Sequence, residues 1–445
     1  FSVSDIEYMK SKLAGKKILF ACVPADGHFN PLTGLAKYLQ EEGCDVRWYS
    51  SGIYEGKLKK LGIHYYPFVV ALDINGSNLQ QLLPGLKTDN ALEKSTLYQK
   101  HFFAGRAVEY YEDIRQIHES FPFDLMISDS TYSAIPFIRH YMNIPVVTIG
   151  IIPLAEDSVD TAPYRSGLPP AEDDVMRAEY AGLYAKNLEV FKKPISIFTS
   201  ILEEHHIPFK PSTLTDILIR SADLYLQIGS TSFEYKRSDL SSNVRFIGAL
   251  MPYSVKSDRQ PWFDERLTKY KKVILVTQGT IEADVTKLLE PTLKAFEHTD
   301  ILVIATTAGN RTEELSAKFT APNLIIADYI PFDEVMPYAD VFVTNGGYTA
   351  AILSIRNKLP MVAAGLHELK NEVCARIGYF KYGINLETEK PSPEAIYNAV
   401  IEIMKNKIYK NNVTNLCNEF ATYNSNELCA GYILELLEKY KHAAV

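Results

Sequence analysis

Two stretches far apart in the chain carry residues able to do chemistry. In the first, Ala25-Asp26-Gly27-His28-Phe29-Asn30-Pro31, an imidazole stands in a loop between an apolar run and a helix-like segment. A histidine there can accept a proton near neutral pH, and a neighbouring carboxylate would fix its tautomer and stabilise its charged form. Asp129 is a candidate for that carboxylate, because it closes a separate apolar run, Asp124-Leu125-Met126-Ile127-Ser128-Asp129. If both runs are parallel strands of one sheet, the pair meets on one edge; Asp129 could equally cap the next helix. In the second stretch, Val343-Thr344-Asn345-Gly346-Gly347-Tyr348-Thr349-Ala350-Ala351, a strand runs into two glycines and directly opens a helix. Free amides and the positive end of the dipole would hold an anion there. Glycines at such a junction also serve simply where a turn has no room for a side chain.

These residues need strands to carry them, and the sequence supplies strands in two alternating halves. Apolar runs at 17–23, 45–49, 64–68, 124–128, 145–150, 223–228 and 244–247 form the first set, and those at 272–277, 301–305, 323–326, 341–344 and 360–363 the second. The intervening segments are long enough for helices, which predicts parallel, doubly wound sheets. Asn30 and Pro31 are expected as N-cap and first-turn proline of a helix that buries Leu32, Leu35, Ala36 and Leu39, and Thr349 as the cap of the helix bearing Ala351, Ile352 and Ile355. Residues 153–211 lose clear periodicity and read as an excursion over one end of the first sheet. The expected division is a Rossmann-like domain at 1–248, a linker at 249–271, a second Rossmann-like domain at 272–424, and a C-terminal helix at 425–445 packing back on the first domain. Two such domains bind a ligand in the cleft between their strand carboxyl ends.

Composition narrows the classes. With 445 residues, 47% of them hydrophobic and 22% charged, the chain is of ordinary globular type. A formal charge of -8 argues against nucleic acid as a partner, because phosphate neutralisation needs a basic face. Five widely spaced cysteines without a CxxC point to neither disulfides nor zinc and fit a cytoplasmic setting. No apolar run approaches the roughly 18 residues of a membrane span, so stable membrane insertion is not expected.

Taken together, the residues resemble a known family. The chain is similar to family 1 glycosyltransferases of the two-Rossmann, metal-independent type (GT-B), the group that includes bacterial macrolide and flavonoid glycosyltransferases. The resemblance spans nearly the whole chain. It rests on Gly27-His28-x-Asn30-Pro31, on Pro122-x-Asp124 through Asp129, and on Gly279-Thr280 after the first strand of the second half. It rests most on the ordered block Tyr329-Ile330-Pro331, Pro337-x-Ala339-Asp340, Thr344-Asn345-Gly346-Gly347 and Pro360-Met361-Val362.

The resemblance implies an α/β protein of two facing Rossmann-like domains that transfers a sugar with inversion. His28 would deprotonate the acceptor hydroxyl and Asp129 would orient and charge it. The leaving nucleoside diphosphate would be held by the Thr280 hydroxyl and by amides around Gly347, Tyr348, Thr349 and Ala350, with no metal or other cofactor. Tyr329 stands where the family stacks a tryptophan on the base, and the Ile330 backbone would read the pyrimidine edge.

Departures from the pattern bear on the donor. Asn345 replaces the usual histidine and can still donate to phosphate without carrying charge. Leu353 and Phe332 stand where many members hold ribose with glutamate and glutamine, so a deoxyribose loses little here and a dTDP-sugar is expected to be tolerated beside UDP-sugars. Where glucose-using members have Asp-Gln, this chain reads Glu368-Leu369-Lys370. That makes a 6-deoxyhexose such as rhamnose an alternative to glucose.

The acceptor partner is expected to be an apolar small molecule, flavonoid-like, bound by first-domain loops at 72–92 and 151–208, with Phe29, Tyr164, Tyr180 and Tyr184 as contact residues. Other readings are an epimerase acting on the same nucleotide sugar, a non-catalytic auxiliary subunit, and a nicotinamide dehydrogenase. The last is disfavoured by the absence of GxGxxG after any early strand. Oligomeric state is not legible.

Overall fold

The computed structural model describes residues 3–88, 90–254 and 260–443. Among them the strands gather into two all-parallel sheets. Seven form the first: β1 (Lys17–Ala21), β2 (Asp45–Ser50), β3 (His64–Pro67), β4 (Leu125–Asp129), β5 (Val146–Gly150), β6 (Leu224–Gln227) and β7 (Val244–Phe246), in the order β3-β2-β1-β4-β5-β6-β7. Six form the second: β8 (Lys272–Thr277), β9 (Ile301–Thr306), β10 (Leu324–Ala327), β11 (Val341–Thr344), β12 (Met361–Ala363) and β13 (Gly383–Asn385), in the order β10-β9-β8-β11-β12-β13. The strands are apolar because both faces are covered: β4, β5 and β9 are buried along their whole length.

In each sheet the chain reverses direction of winding once, between β1 and β4 and between β8 and β11. These are the switch points where open α/β sheets bind ligands, since the connections leave to opposite faces and open a crevice beyond the strand ends. Register places Phe20 beside Ile127 and Ala21 beside Ser128, and Val276 beside Val343. The stretches that carry His28, Asp129, Thr280 and Asn345 therefore leave the sheets at their switch points, whereas Tyr329 follows the edge strand β10 and Glu368 follows β12.

One apolar core is shared by both sheets and includes Phe20, Trp48, Ile149 and Leu226 with Leu275, Phe342, Ile352 and Ile377. Separate cores back the other face of each sheet. The helix Ser425–Ala443 crosses back to pack on the helices Val3–Leu13 and Asp26–Glu41, burying Cys429, Ile433 and Leu437. Tyr440 of that helix donates to Asp223 Oδ1 at 2.7 Å. The sheet ends at Phe246 and Lys272 bracket the expected linker, of which 255–259 lie outside the described residues.

The irregular 153–211 stretch contains two long helices, Asp174–Val190 and Lys192–Glu204. In the first, Tyr180 is the one buried residue, so it lacks the apolar stripe of a helix packed on a core. The edge strand β13, Gly383-Ile384-Asn385, lies outside the expected runs because it carries one apolar side chain, unlike the equally short β12, Met361-Val362-Ala363. No helix among the described residues is long and apolar enough to cross a membrane. All five cysteines are unpaired.

Candidate functional site

The helix after β1 starts at Asp26, with Ala25 extended before it. His28 is thus its third residue, not a loop residue ahead of it. Asn30 and Pro31, expected as cap and first-turn proline, lie inside the helix, where Pro31 removes one intrahelical bond.

His28 Nδ1 lies 3.0 Å from Asp129 Oδ1. Asp129 is wholly buried, yet three donors besides His28 surround it: the Val23 amide on Oδ2 at 2.7 Å, and the Thr131 amide and hydroxyl on Oδ1 at 2.8 and 2.7 Å. Burial works to raise its carboxyl, but the facing His28 and these hydrogen bonds outweigh it and hold the group below its ordinary value. An ionised Asp129 accepts a hydrogen bond from Nδ1–H, which keeps the proton on that nitrogen and leaves Nε2 with a free lone pair. The His28 side chain remains 18% exposed, so that lone pair belongs to a group a ligand can reach.

A cavity of about 550 Å³ opens at this pair. His28 and Thr131 line it together with Phe103, Ile152, Tyr164, Leu168, Phe191, Phe198 and Leu369, and the helices Ala91–His101, Asp174–Val190 and Lys192–Glu204 form much of its wall. Of the aromatic residues expected to touch an acceptor, Tyr164 lines it, with its hydroxyl donated to Pro153 O at 2.9 Å. Phe29 does not. Successive helical residues point about 100° apart, so the ring next to His28 turns into the core, stacked 4.0 Å from Tyr54 and buried. Tyr180 and Tyr184 also stay out of the lining; their hydroxyls brace the preceding loop at Pro169 O (2.9 Å) and Ala162 O (3.3 Å). The 72–92 segment contributes no lining residue, whereas Ser95 and Gln99, outside the expected segments, do, as does Asp157 within the expected 151–208.

In the second sheet, β8 ends in Gln278-Gly279-Thr280, with Gly279 left-handed at φ +76° and Thr280 exposed. Asn345 Nδ2 donates to the Gln278 carbonyl, so one of its two N–H groups braces the loops after β8 and β11 against each other. Gly346 has φ +91°, and a Cβ there would come within 2.6 Å of Cys374 Sγ and 2.9 Å of Lys370 O. Gly347 is the N-cap of the helix Tyr348–Arg356 and offers no side chain; Thr349, expected as cap, is the second residue of the helix. The amides of Tyr348, Thr349 and Ala350 accordingly have no intrahelical acceptor.

The Tyr348 side chain leaves this helix for the first sheet. Its hydroxyl donates to Ile228 O at 2.6 Å, accepts from Gln227 Nε2 at 3.4 Å, and its ring lies parallel to Phe233. Tyr329 is 71% exposed, held by a bond from its hydroxyl to Ala308 O at 3.0 Å. Ile330 is buried, and Phe332 and Leu353 are half-buried apolar groups packed on the core. Glu368 is exposed at φ +60° and lies 3.5 Å from the Lys370 amine. Between them Leu369 lines the cavity of the first sheet, so the two sites adjoin.

Polar contacts span the cleft beside these groups. Arg376, buried in the helix Lys370–Tyr379, binds Glu234 of the first half at 2.6 Å and Glu372 at 2.8 Å. Glu372 accepts the Gly167 amide at 3.0 Å, and Tyr382 donates to Ser232 O at 2.6 Å.

Comparison with known proteins matches this arrangement. Residues 194–420, just over half of the chain, fit the family described as "UDP-glucoronosyl and UDP-glucosyl transferase". The chain is 28% identical to 4'-demethylrebeccamycin synthase of Lentzea aerocolonigenes, over 92% of this chain and 96% of the relative. It is also 28% identical to UDP-glycosyltransferase 2 of Phaeomoniella chlamydospora, over 96% and 97%. Among solved structures, the glycotransferase of kitacinnamycin superposes with a TM-score of 0.75 at 17% identity, covering 95% of this chain and 99% of that one. CalG4, the calicheamicin glycosyltransferase, superposes with 0.72 at 16% identity, covering 96% and 98%. These two share the fold, the GT-B arrangement of two facing parallel-sheet domains. With a family match over more than half its length and relatives aligned nearly end to end, the chain belongs to the UDP-glucoronosyl and UDP-glucosyl transferase family and is a glycosyltransferase.

Proposed function

We propose that this glycosyltransferase moves a hexose or 6-deoxyhexose, glucose or rhamnose, from a UDP- or dTDP-sugar to a hydroxyl of an apolar, flavonoid-like molecule, with inversion and without a metal ion. The observation that carries it is the His28–Asp129 pair at 3.0 Å, opening on a largely apolar cavity that adjoins the glycine junction of the second sheet. His28 Nε2 takes the proton of the acceptor hydroxyl, and the oxygen attacks the anomeric carbon. The bond from that carbon to the diphosphate breaks, and its electron pair leaves on the diphosphate oxygen. The amides of Tyr348, Thr349 and Ala350 and the Thr280 hydroxyl meet the developing charge, supplying electrostatically what a cation would supply. The transfer belongs to the cytoplasm, where five unpaired cysteines stay reduced.

The base is read as uracil or thymine. Relatives named UDP-glycosyltransferase 2 and UDP-glucosyltransferase 1 support a UDP donor. Leu353 and Phe332 offer no hydrogen bond to a ribose hydroxyl, so a 2′-deoxyribose forfeits little. Incubation with a polyphenol and a panel of UDP- and dTDP-sugars, products weighed by mass spectrometry, tests the reading. A mass gain of one hexose or deoxyhexose is expected, undiminished by EDTA. Consumption of donor without acceptor, yielding an epimerised sugar, would overturn it, and turnover of UDP-glucose with none of dTDP-rhamnose would remove the deoxysugar donor.

Tyr329 supplies a further check. Stacking of a base on an aromatic ring contributes on the order of 1–3 kcal/mol, so Tyr329→Ala should raise the donor KM about fivefold or more in steady-state assays. Because the ring is exposed, the thermal midpoint should stay within about a degree of the parent's.

A further inference from the structure

Apolar atoms make up most of the cavity wall, but polar side chains reach it too, and among those away from the catalytic pair one is a carboxylate. Asp157, in the segment after β5, lines the cavity on the wall built with Thr213 and the start of the helix Leu214–Ser221. Three contacts fix it: its amide donates to Asp216 Oδ1 at 2.9 Å, its carbonyl accepts from Arg220 Nη2 at 3.5 Å, and its Oδ2 accepts from Ser212 Oγ at 2.6 Å. Its Oδ1 has no hydrogen-bond partner among the described residues. Arg220 makes no hydrogen bond to that oxygen: its guanidinium binds Asp216 at 3.0 Å and Glu156 at 3.6 Å, and it and Lys210 act on the Asp157 carboxylate only through longer-range attraction. Burial, with Asp216 nearby, pushes the Asp157 carboxyl up to about 6. Arg165 and Lys186 also line the cavity, but they are exposed.

Gln99 also lines the cavity, but its Oε1 is closed off from solvent and has no partner. Asp157 Oδ1 differs in being reachable from the cavity. A ligand that displaces water from that oxygen without offering an O–H or N–H group leaves it unpaired, at the cost of its desolvation.

We infer that Asp157 is a specificity-determining residue of this cavity, reading an O–H or N–H group of the acceptor other than the hydroxyl that receives the sugar. The inference rests on the proposed use of the cavity for the acceptor. It selects, among apolar molecules of suitable size, those carrying a second hydrogen-bond donor. A site built to hydrogen-bond a hydroxyl rejects the analogue lacking it far more strongly than an apolar pocket rejects a methylene.

Three flavones that differ in one substituent test this. 7-Hydroxyflavone carries a single hydroxyl, 7,4′-dihydroxyflavone adds a second on its pendant ring, and 7-hydroxy-4′-methoxyflavone has that second hydroxyl methylated. Isothermal calorimetry on the full chain should show the dihydroxyflavone binding about tenfold or more tighter than the other two. Asp157→Leu should bring the three within about threefold of one another, and Asp157→Asn, which keeps an oxygen for Ser212, should fall between. Equal binding of all three to the parent protein overturns the inference, as does a dihydroxyflavone preference that survives in Asp157→Leu. A purely structural role would lower the unfolding midpoint and weaken all three ligands by the same factor, also against it. If Asp157→Leu does not fold, the comparison on the parent protein decides. Calorimetry reads the inference independently of turnover: discrimination between flavones with no sugar transferred from any donor would sink the proposed function and leave the cavity's selectivity standing.

Discussion

His28→Ala lowers kcat for an aliphatic alcohol acceptor by roughly 10²- to 10⁴-fold, the usual contribution of a positioned general base, while donor KM changes little. A phenolic acceptor loses less, because its more acidic hydroxyl needs less help to shed a proton. The comparison of two acceptors separates loss of the base from general damage, which would affect both alike. Asp129→Asn gives a related result by another route. Its amide can present an N–H to Nδ1, which reverses the tautomer and puts the proton on Nε2, where the acceptor needs a lone pair. Normal transfer to an alcohol by His28→Ala would remove His28 from the mechanism.

Arg376→Met is the variant expected to cost most in stability. The guanidinium is 1% exposed, binds Glu234 from two nitrogens and Glu372 from a third, and lies 4.3 Å over the Tyr235 ring. Removing one partner of a buried ion pair costs about 3–5 kcal/mol, because the charge left behind is neither solvated nor paired. Urea unfolding followed by circular dichroism should show the midpoint fall accordingly. The pH dependence has a defined sign. Burial works to raise the Glu234 carboxyl, but Arg376 and then Arg237 outweigh it and hold it low. Its contribution is therefore full above the unfolded carboxyl value of about 4.3 and fades as pH falls through the lower native one. In the variant burial prevails over Arg237, the remaining cation, so Glu234 becomes costly when ionised. The deficit should be greatest at neutral pH and shrink on acidification. A deficit constant with pH would mean that Arg376 acts by packing alone.

The strands were legible because parallel strands buried on both faces are nearly continuous apolar runs, and twelve of the runs identified correspond to β1 through β12 within a residue or two at their ends. His28 and Asp129 were legible as a pair because each follows or closes such a run. Helix starts were less so. Ala25 precedes a helix with no capping side chain, and Gly347 does the same, so the nearest Asn30 and Thr349 drew the eye instead. Asp174–Val190 was obscured because its Leu183 and Val190 face the cavity while the core takes Tyr180 alone. Thr131, two residues after Asp129, could have been foreseen as the hydroxyl that closes a turn on that carboxylate. Asp157 falls in the 151–208 segment expected to meet the acceptor, but nothing local singles it out, since its partners Ser212, Asp216 and Arg220 are distant in sequence; Gln99 lies outside both expected segments.

The Tyr348 hydroxyl, anchored on Ile228 across the cleft, has a consequence for where orientation entropy is spent. The first residue of the helix proposed to face the leaving group is fastened to the sheet that carries His28. In the proposed reaction the distance between its two ends is thereby set when the chain folds and not at each encounter with substrate, so that much of the loss of rotational freedom demanded by in-line attack is incurred beforehand.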